Sequence, residues 1–303
     1  MLFHRRNFIR QSGLAVAGMM AFGGMSFSRP KEKMRLSFST LGCPKWDLPE
    51  VVQFAASNGY QGIEIRVIAG MLDLPNLSHF STANIGNTKR LISDNGLTLA
   101  GLGSSAQLHH EDKTNKEKNM DEARKFIDLA QRLDCPYVRV FPEKLLPGAD
   151  RKRSLDTVTE NLRALGEYAK GSKVRVLVES HGDLVYIDDL LYVMHHAESE
   201  HTGMIWDIVN MWSVTKEAPG QVFDKLQSYI YHVHVKDVVW ESEHMKYVLI
   251  GKGVAPLKAA ITALDKAAFK GFYSFEWEKL WHPEIEEPEL ALASYPTAIT
   301  ELR

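Results

Sequence analysis

Glu179, Asp207, His234 and Glu276 each stand at the exit of a short apolar run in the C-terminal half of this 303-residue chain. The runs 174–179, 203–207, 229–234 and 272–276 are rich in β-branched and aromatic residues, as strands are. Glu179 and Asp207 lie 28 residues apart, and Asp207 and His234 lie 27 apart. Both spacings are close to the roughly 30 residues of a strand, crossover helix and strand. Three carboxylates and one imidazole make a mainly oxygen donor set. It suits one divalent ion, Mn²⁺ first, with Mg²⁺, Co²⁺ or Zn²⁺ admissible and zinc less favoured without thiolates. Such an ion acts as a Lewis acid on a carbonyl and its neighbouring hydroxyl, stabilising the enediolate left when the α-proton departs. A base must still move that proton. Glu179 and Glu276 can flank a substrate so that one removes the proton and the other returns it, each worth roughly 10² to 10⁴ in rate. Return to the opposite face is epimerisation; return to the neighbouring carbon is isomerisation.

Further side chains fall where a substrate would meet them. His181 follows Glu179 by two residues and points the same way along a strand, as a third catalytic candidate or as a loop histidine bonded to backbone. Glu64 and Arg66 close a strand, and Arg139 lies inside another, where an unpaired buried charge is costly. Arg139 is therefore either paired with a barrel carboxylate or aimed at an anionic or hydroxylated substrate. His109, Asn210, Lys236 and Glu278 complete the candidate substrate-binding set with Glu64, Arg66 and Arg139. Lys236 and Asp237 can meet substrate hydroxyls or pair with each other. His232 shares a face with His234 but lies deeper, as a satisfied core histidine. Tryptophans at predicted strand ends suit the apolar face of a sugar ring or plain packing. Gly251-Lys-Gly253 offers backbone amides to a phosphate, but three residues are a short cradle, and an exported protein is a poor fit for phosphorylated metabolites.

Positioning these groups takes an alternation of strands and helices. Strands are expected at 35–41, 62–66, 97–102 and 136–141 before the four ligand-bearing runs. Helices are expected at 48–58, 84–95, 116–133, 155–170, 187–197, 221–227, 256–267 and 287–303. Eight such units in about 270 residues fit a single-domain (β/α)₈ TIM barrel, whose strands all end on one catalytic face. A doubly wound open sheet would carry Gly-x-Gly-x-x-Gly after its first strand, and none is present.

The N-terminus is separate from that fold. Arg5, Arg6 and Arg10 precede an apolar stretch of small residues from Leu14 to Met25, shorter than the roughly 20 residues that span a bilayer. This resembles a twin-arginine export signal over 1–28. Ser26-Phe-Ser28 offers a cleavage site, leaving a barrel domain over 29–303. The expected partner of this segment is the twin-arginine export machinery, and the expected location is periplasmic or otherwise extracytoplasmic. A homo-oligomer is compatible with the sequence, and no stable membrane anchor is expected. Losing the three arginines leaves 33 basic against 38 acidic residues, a balance of −5, which disfavours nucleic acid. Cys43 and Cys135 are expected at opposite ends of the barrel, too far apart for a disulfide.

The chain resembles the sugar phosphate isomerase/epimerase family of xylose-isomerase-like TIM barrels. The motifs that carry this are Asn58-Gly-Tyr-Gln-Gly-Ile-Glu64, Val178-Glu-Ser-His181, Trp206-Asp-Ile-Val-Asn210, His232-Val-His-Val-Lys-Asp237, Gly251-Lys-Gly253 and Gly271-Phe-Tyr-Ser-Phe-Glu276. In its ketose epimerases the matching positions hold one divalent ion, which implies Glu179, Asp207, His234 and Glu276 here. Asn210 stands where those epimerases commonly carry histidine, and their substrate arginine has no match around Trp240. The segment 276–283 instead resembles an exported branch of the family. The resemblance implies a metal-dependent isomerase or epimerase of an unphosphorylated sugar or keto-sugar, and so a small carbohydrate as partner. Two alternatives remain open: a lyase cleaving a 3-keto-glycoside by β-elimination, and a non-catalytic carbohydrate-binding protein.

Overall fold

A computed structural model describes residues 33–303; the expected export signal lies outside them. Among the described residues, eight parallel strands close a barrel: β1 (Arg35–Ser39), β2 (Gly62–Ile65), β3 (Thr98–Gln107), β4 (Tyr137–Phe141), β5 (Arg175–Glu179), β6 (Thr202–Asp207), β7 (Ile230–Val235) and β10 (Phe272–Phe275). The order is sequential, and β10 pairs with both β7 and β1. Helices α1 (Leu48–Ser57), α2 (Ile85–Asp94), α3 (Lys113–Leu133), α4 (Arg151–Ala169), α5 (Ile187–His196), α6 (Ile208–Thr215), α7 (Pro219–Leu226), α8 (Leu257–Lys266) and α9 (Pro288–Glu301) follow in chain order. This is the expected (β/α)₈ barrel. No helix of the described residues is long and apolar enough to cross a membrane.

Strand alternation separates two chemistries. Ile63, Ile65, Val138, Val140, Val176, Val178, Val233 and Val235 join the apolar layer beneath the helices. Their neighbours at period two face the barrel lumen. Those inward positions are Glu64, Arg139, Glu179, Asp207, His232, His234 and Ser274, all buried. Register sets their heights: Asp207 on β6 pairs with His234 on β7, and Ser39 on β1 pairs with Glu64 on β2. Glu276 sits one residue past β10. Its backbone amide donates to the Val235 carbonyl at 3.0 Å, which continues the pairing of Ser274 with His234 and Phe275 with Val235 and sets Glu276 beside Lys236.

Two elements escape the sequence expectation. One is α6, which starts immediately after β6 with no intervening loop. The Asp207 side chain caps it by accepting from the Asn210 amide at 2.8 Å. The other is an antiparallel hairpin of β8 (Asp237–Glu241) and β9 (His244–Val248), directly after β7. Its exposure grades from buried Asp237 and Val238 to exposed Trp240 and Glu241, without the clean alternation of a core strand. Strand β3 also runs five residues beyond its expected end at residue 102. Cys43 and Cys135 are free and buried.

The hairpin is latched by Asp237. Its buried carboxylate accepts from the amides of Val238, Gly251 and Gly253 at 2.9 Å and of Ala255 at 3.2 Å. A Cβ at residue 253 would overlap that carboxylate, so glycine is required there. The phosphate reading of Gly251-Lys-Gly253, already disfavoured, loses its donors, because both glycine amides are spent on Asp237. Nor does Asp237 pair with Lys236, whose ammonium turns to other carboxylates. Replacing Asp237 with alanine leaves four amides without their acceptor. Asp237→Ala should cost about 2–4 kcal/mol in urea unfolding and expose the segment 238–256 to limited proteolysis. Wild-type stability with unchanged cleavage would contradict the latch.

Candidate metal centre

Glu179, Asp207, His234 and Glu276 each present a ligand atom, and these atoms lie within 4.8 Å of one another. They come from four different strand ends, and all four residues are buried. His234 fixes the geometry. Its Nε2 lies 3.0 Å from Glu64 Oε2, while its Nδ1 faces Glu179 Oε1 at 3.2 Å and Glu276 Oε1 at 3.3 Å. With the Nε2 proton donated to Glu64, the Nδ1 lone pair is free for an ion between the carboxylates. That is the arrangement by which a carboxylate sets tautomer and ring orientation in metal-binding histidines.

Beneath the ligands, Glu64 ties the floor together. It also meets His232 Nε2 at 2.8 Å and accepts from Ser274 Oγ at 2.9 Å. Its oxygens are taken, so the structure places Glu64 as a positioning group rather than the expected substrate contact. His232 is the expected satisfied core histidine on its Nε2 side. Cations clamp the flanks. Arg139 Nη1 donates to Glu179 Oε2 at 2.8 Å, and the guanidinium lies 3.7 Å from the Phe141 ring centre. Of its two expected roles, Arg139 takes the pairing with a barrel carboxylate. Lys236 Nζ lies 2.8 Å from Asp207 Oδ2, 2.7 Å from Glu276 Oε2 and 2.9 Å from Glu278 Oε1. Lys236 and Glu278 thus both belong to the site's charge network.

These contacts shift the ionisation of the ligands. Burial pushes the Asp207 carboxyl up to about 7, Lys236 pulls it down, and neighbouring Glu276 and Glu179 push it up again. Burial would also raise Glu179, but His234 and Arg139 outweigh it and hold the carboxyl below its usual range. Glu276 is likewise lowered against burial, by His234 and Lys236. The His234 imidazole is raised against burial by Glu276, Glu64 and Glu179. Without an ion the cluster is therefore crowded with negative charge and holds protons to relieve it. The donor set fits a divalent cation. Asp207 Oδ2 is buried with no hydrogen-bond partner, since the ammonium of Lys236 approaches it at ion-pair distance but outside hydrogen-bond geometry.

The remaining expected residues spread around the mouth. His181 Nδ1 lies 3.5 Å from Glu143 Oε1, its ring packs on Phe141 at 4.6 Å, and about a third of the side chain is exposed. Asn210 is spent locally: its amide caps on Asp207 and its Nδ2 donates to the Ser180 carbonyl at 3.3 Å. His109 packs against His110 with ring centres 4.0 Å apart and planes tilted by 36°, outside the ligand cluster. Arg66 is buried and donates through Nη2 to Ser105 Oγ at 2.8 Å. Sequence reasoning missed Tyr247. The hairpin brings its ring 5.7 Å from Lys236 Nζ, and no strand-end signal marks it.

A parallel barrel with a buried carboxylate–imidazole cluster at the C-terminal ends of its strands defines a barrel with a candidate metal site on its catalytic face. The chain belongs to the xylose isomerase-like TIM barrel family, whose model matches residues 52–294. No curated protein matches it. Among solved structures it is similar to the probable 3-DHS dehydratase AsbF of Bacillus anthracis, at 16% identity and a TM-score of 0.71, covering 88% of this chain and 99% of that one. The D-allulose 3-epimerase of Methylomonas sp. is similar at 16% identity and a TM-score of 0.70, over 90% and 98% of the two chains. The IolI protein with a bound zinc atom is similar at 15% identity and a TM-score of 0.73, over 89% and 98%. At these identities the likeness establishes the shared fold.

Two measurements follow from the geometry. Glu64→Gln keeps the shape but weakens the hold on His234, so Mn²⁺ affinity by isothermal titration should fall about 10- to 100-fold. Unchanged affinity would remove Glu64 from the site. Binding an ion also requires Asp207 and His234 to be unprotonated, and both hold protons above their usual ranges in the ion-free protein. Affinity should therefore fall as pH drops below about 7, with protons released on binding. Titrations in buffers of different ionisation enthalpy read this directly, and an affinity independent of pH with no proton release would refute it.

Proposed function

We propose that this protein is a divalent-metal-dependent isomerase or epimerase of an unphosphorylated sugar or keto-sugar. The observation that carries the proposal is the convergence of Glu179, Asp207, His234 and Glu276 on one buried point. All three carboxylates lie beside Arg139 or Lys236, and Glu179 and Glu276 are held below their usual range and ionised. When bound, the ion supplies Lewis-acid polarisation of a carbonyl. The chain's own residues do the rest. Glu179, held by Arg139, and Glu276, held by Lys236, come from strands three apart in the barrel wall and are the two groups that remove and return the proton at carbon. Lys236 joins Glu276 to Glu278, a line of polar groups leading outward along which a proton can be passed. The similar D-allulose 3-epimerase supports this assignment.

Manganese is the proposed ion, on the oxygen-rich donor set. An unphosphorylated substrate is supported by the commitment of the Gly251 and Gly253 amides to Asp237. The sequence of the first 28 residues supports export by the twin-arginine route and action outside the cytoplasm. A second reading has one observation in its favour. His181, paired with Glu143 and partly open at the mouth, stands where an acid would protonate a leaving group. The chemistry would then be β-elimination from a 3-keto-glycoside, and the similar dehydratase fits that class.

Incubation of the Mn²⁺-loaded protein in D₂O with a panel of ketoses and a 3-keto-glycoside separates the two. Epimerisation or isomerisation places solvent deuterium on the carbon next to the carbonyl and releases no aglycone, whereas elimination releases it. Glu276→Gln should lower kcat by about 10² to 10⁴. Sugar binding with no turnover in the wild type, unchanged in Glu276→Gln, would identify a carbohydrate-binding protein instead.

A further inference from the structure

Arg66 is the cation that the metal site leaves unused. It follows β2 on the same inward face as Glu64, and its backbone amide is pinned by Thr40 Oγ1 at 2.9 Å. The side chain is 5% exposed. Its one hydrogen bond goes to a neutral acceptor, Ser105 Oγ, and among the described residues no carboxylate lies within ion-pair distance of it. Nη1 is buried without any partner. Beside it stands a second guanidinium, that of Arg139, which repels it. The space for both is cleared by Gly103 on β3, where a Cβ would lie 2.8 Å from Arg66 Cδ and 3.0 Å from Arg139 Nη2.

Arg139 resolves its burial by pairing with Glu179, whereas Arg66 has no carboxylate in contact among the described residues. A guanidinium buried without an anion costs several kcal/mol, and the fork of donors it presents matches a carboxylate. Burial and Arg139 push the Arg66 guanidinium down to about 9, although the carboxylates of Glu122, Glu276 and Glu179, beyond ion-pair distance, pull it upward. A backbone or hydroxyl acceptor would satisfy one N–H without supplying charge.

We infer that Arg66 binds a carboxylate carried by the substrate, so that the sugar is an acid sugar, such as a keto-uronate, and not a neutral ketose. The inference rests on the isomerase or epimerase assignment for the sugar class, and it adds the charged group. A monoanion suits the site better than a phosphate. Arg139 is already engaged with Glu179, and one free guanidinium would leave a dianion half-neutralised. The acid group would lie on the β2–β3 side of the mouth, held by Arg66, with the reacting carbons toward Glu179 and Glu276.

Isothermal titration of the Mn²⁺-loaded full-length protein with D-tagaturonate and D-tagatose compares a carboxylate with a hydroxymethyl group on one keto-sugar frame. The acid should bind about 10- to 100-fold tighter than the neutral sugar. Arg66→Met should bring the two to within about twofold while manganese content stays as in wild type. Arg66→Met should also leave the ligand-free melting temperature unchanged or raised, because it deletes an unpaired buried cation. Equal binding of the two sugars to wild type, absence of binding by the acid, or a preference kept in Arg66→Met would each overturn the inference. Turnover of neutral ketoses without acid preference would leave the isomerase assignment standing and this inference refuted. Acid preference without any proton exchange at carbon would do the reverse.

Discussion

Carboxylates buried beside one another repel, and each costs several kcal/mol unless cations share the space. The upper end of this barrel buries Glu64, Glu179, Asp207 and Glu276 within reach of a single imidazole. The rest of the site follows from managing that repulsion. Arg139 and Lys236 are bound to the flanks, His234 stands between Glu64 below and two ligands above, and the ligand-free protein still holds protons more tightly than usual on Asp207 and His234. A divalent ion at the same point replaces those protons with fixed charge. Affinity for the ion and deprotonation of the ligands are thus one equilibrium.

The barrel makes this arrangement possible by dividing labour between the two faces of each strand. Outward residues such as Val176, Val178, Val233 and Val235 supply the apolar layer under the helices, so the lumen need not be apolar for the fold to hold. The lumen can then carry arginine, glutamate and histidine at neighbouring heights, provided each finds a partner. The Asp237 latch extends the same logic past the end of β7. One buried carboxylate gathers four amides, fixes the hairpin, and brings Tyr247 over Lys236.

Much of this was visible in the sequence because it depends on period and spacing. Glu179, Asp207 and His234 recur at one strand–helix interval, and each closes a strand-like run, so a parallel barrel places them on one face. The partners were harder to read. Arg139 announced only that a buried charge needs an anion, and nothing in its neighbourhood names Glu179, 40 residues away. Glu64 looks like a mouth residue because it ends a strand, yet β2 pairs with β1 and β3 at a height that puts it below His234. The hairpin and α6 were missed because their signals are short and local: α6 begins on the ligand Asp207 itself, and β8–β9 alternates poorly. The glycine pair at 251 and 253 read as an anion cradle, which it is, but the anion is Asp237 of the same chain.

The central claim is that Glu179, Asp207, His234 and Glu276 hold one divalent ion between them. Metal analysis of the purified full-length protein beside Glu179→Gln and His234→Ala tests it most directly. The account predicts about one equivalent of manganese or a similar ion in the wild type, and loss of most of it in both variants, with the fold retained by circular dichroism. Stoichiometric metal retained in both variants would contradict it.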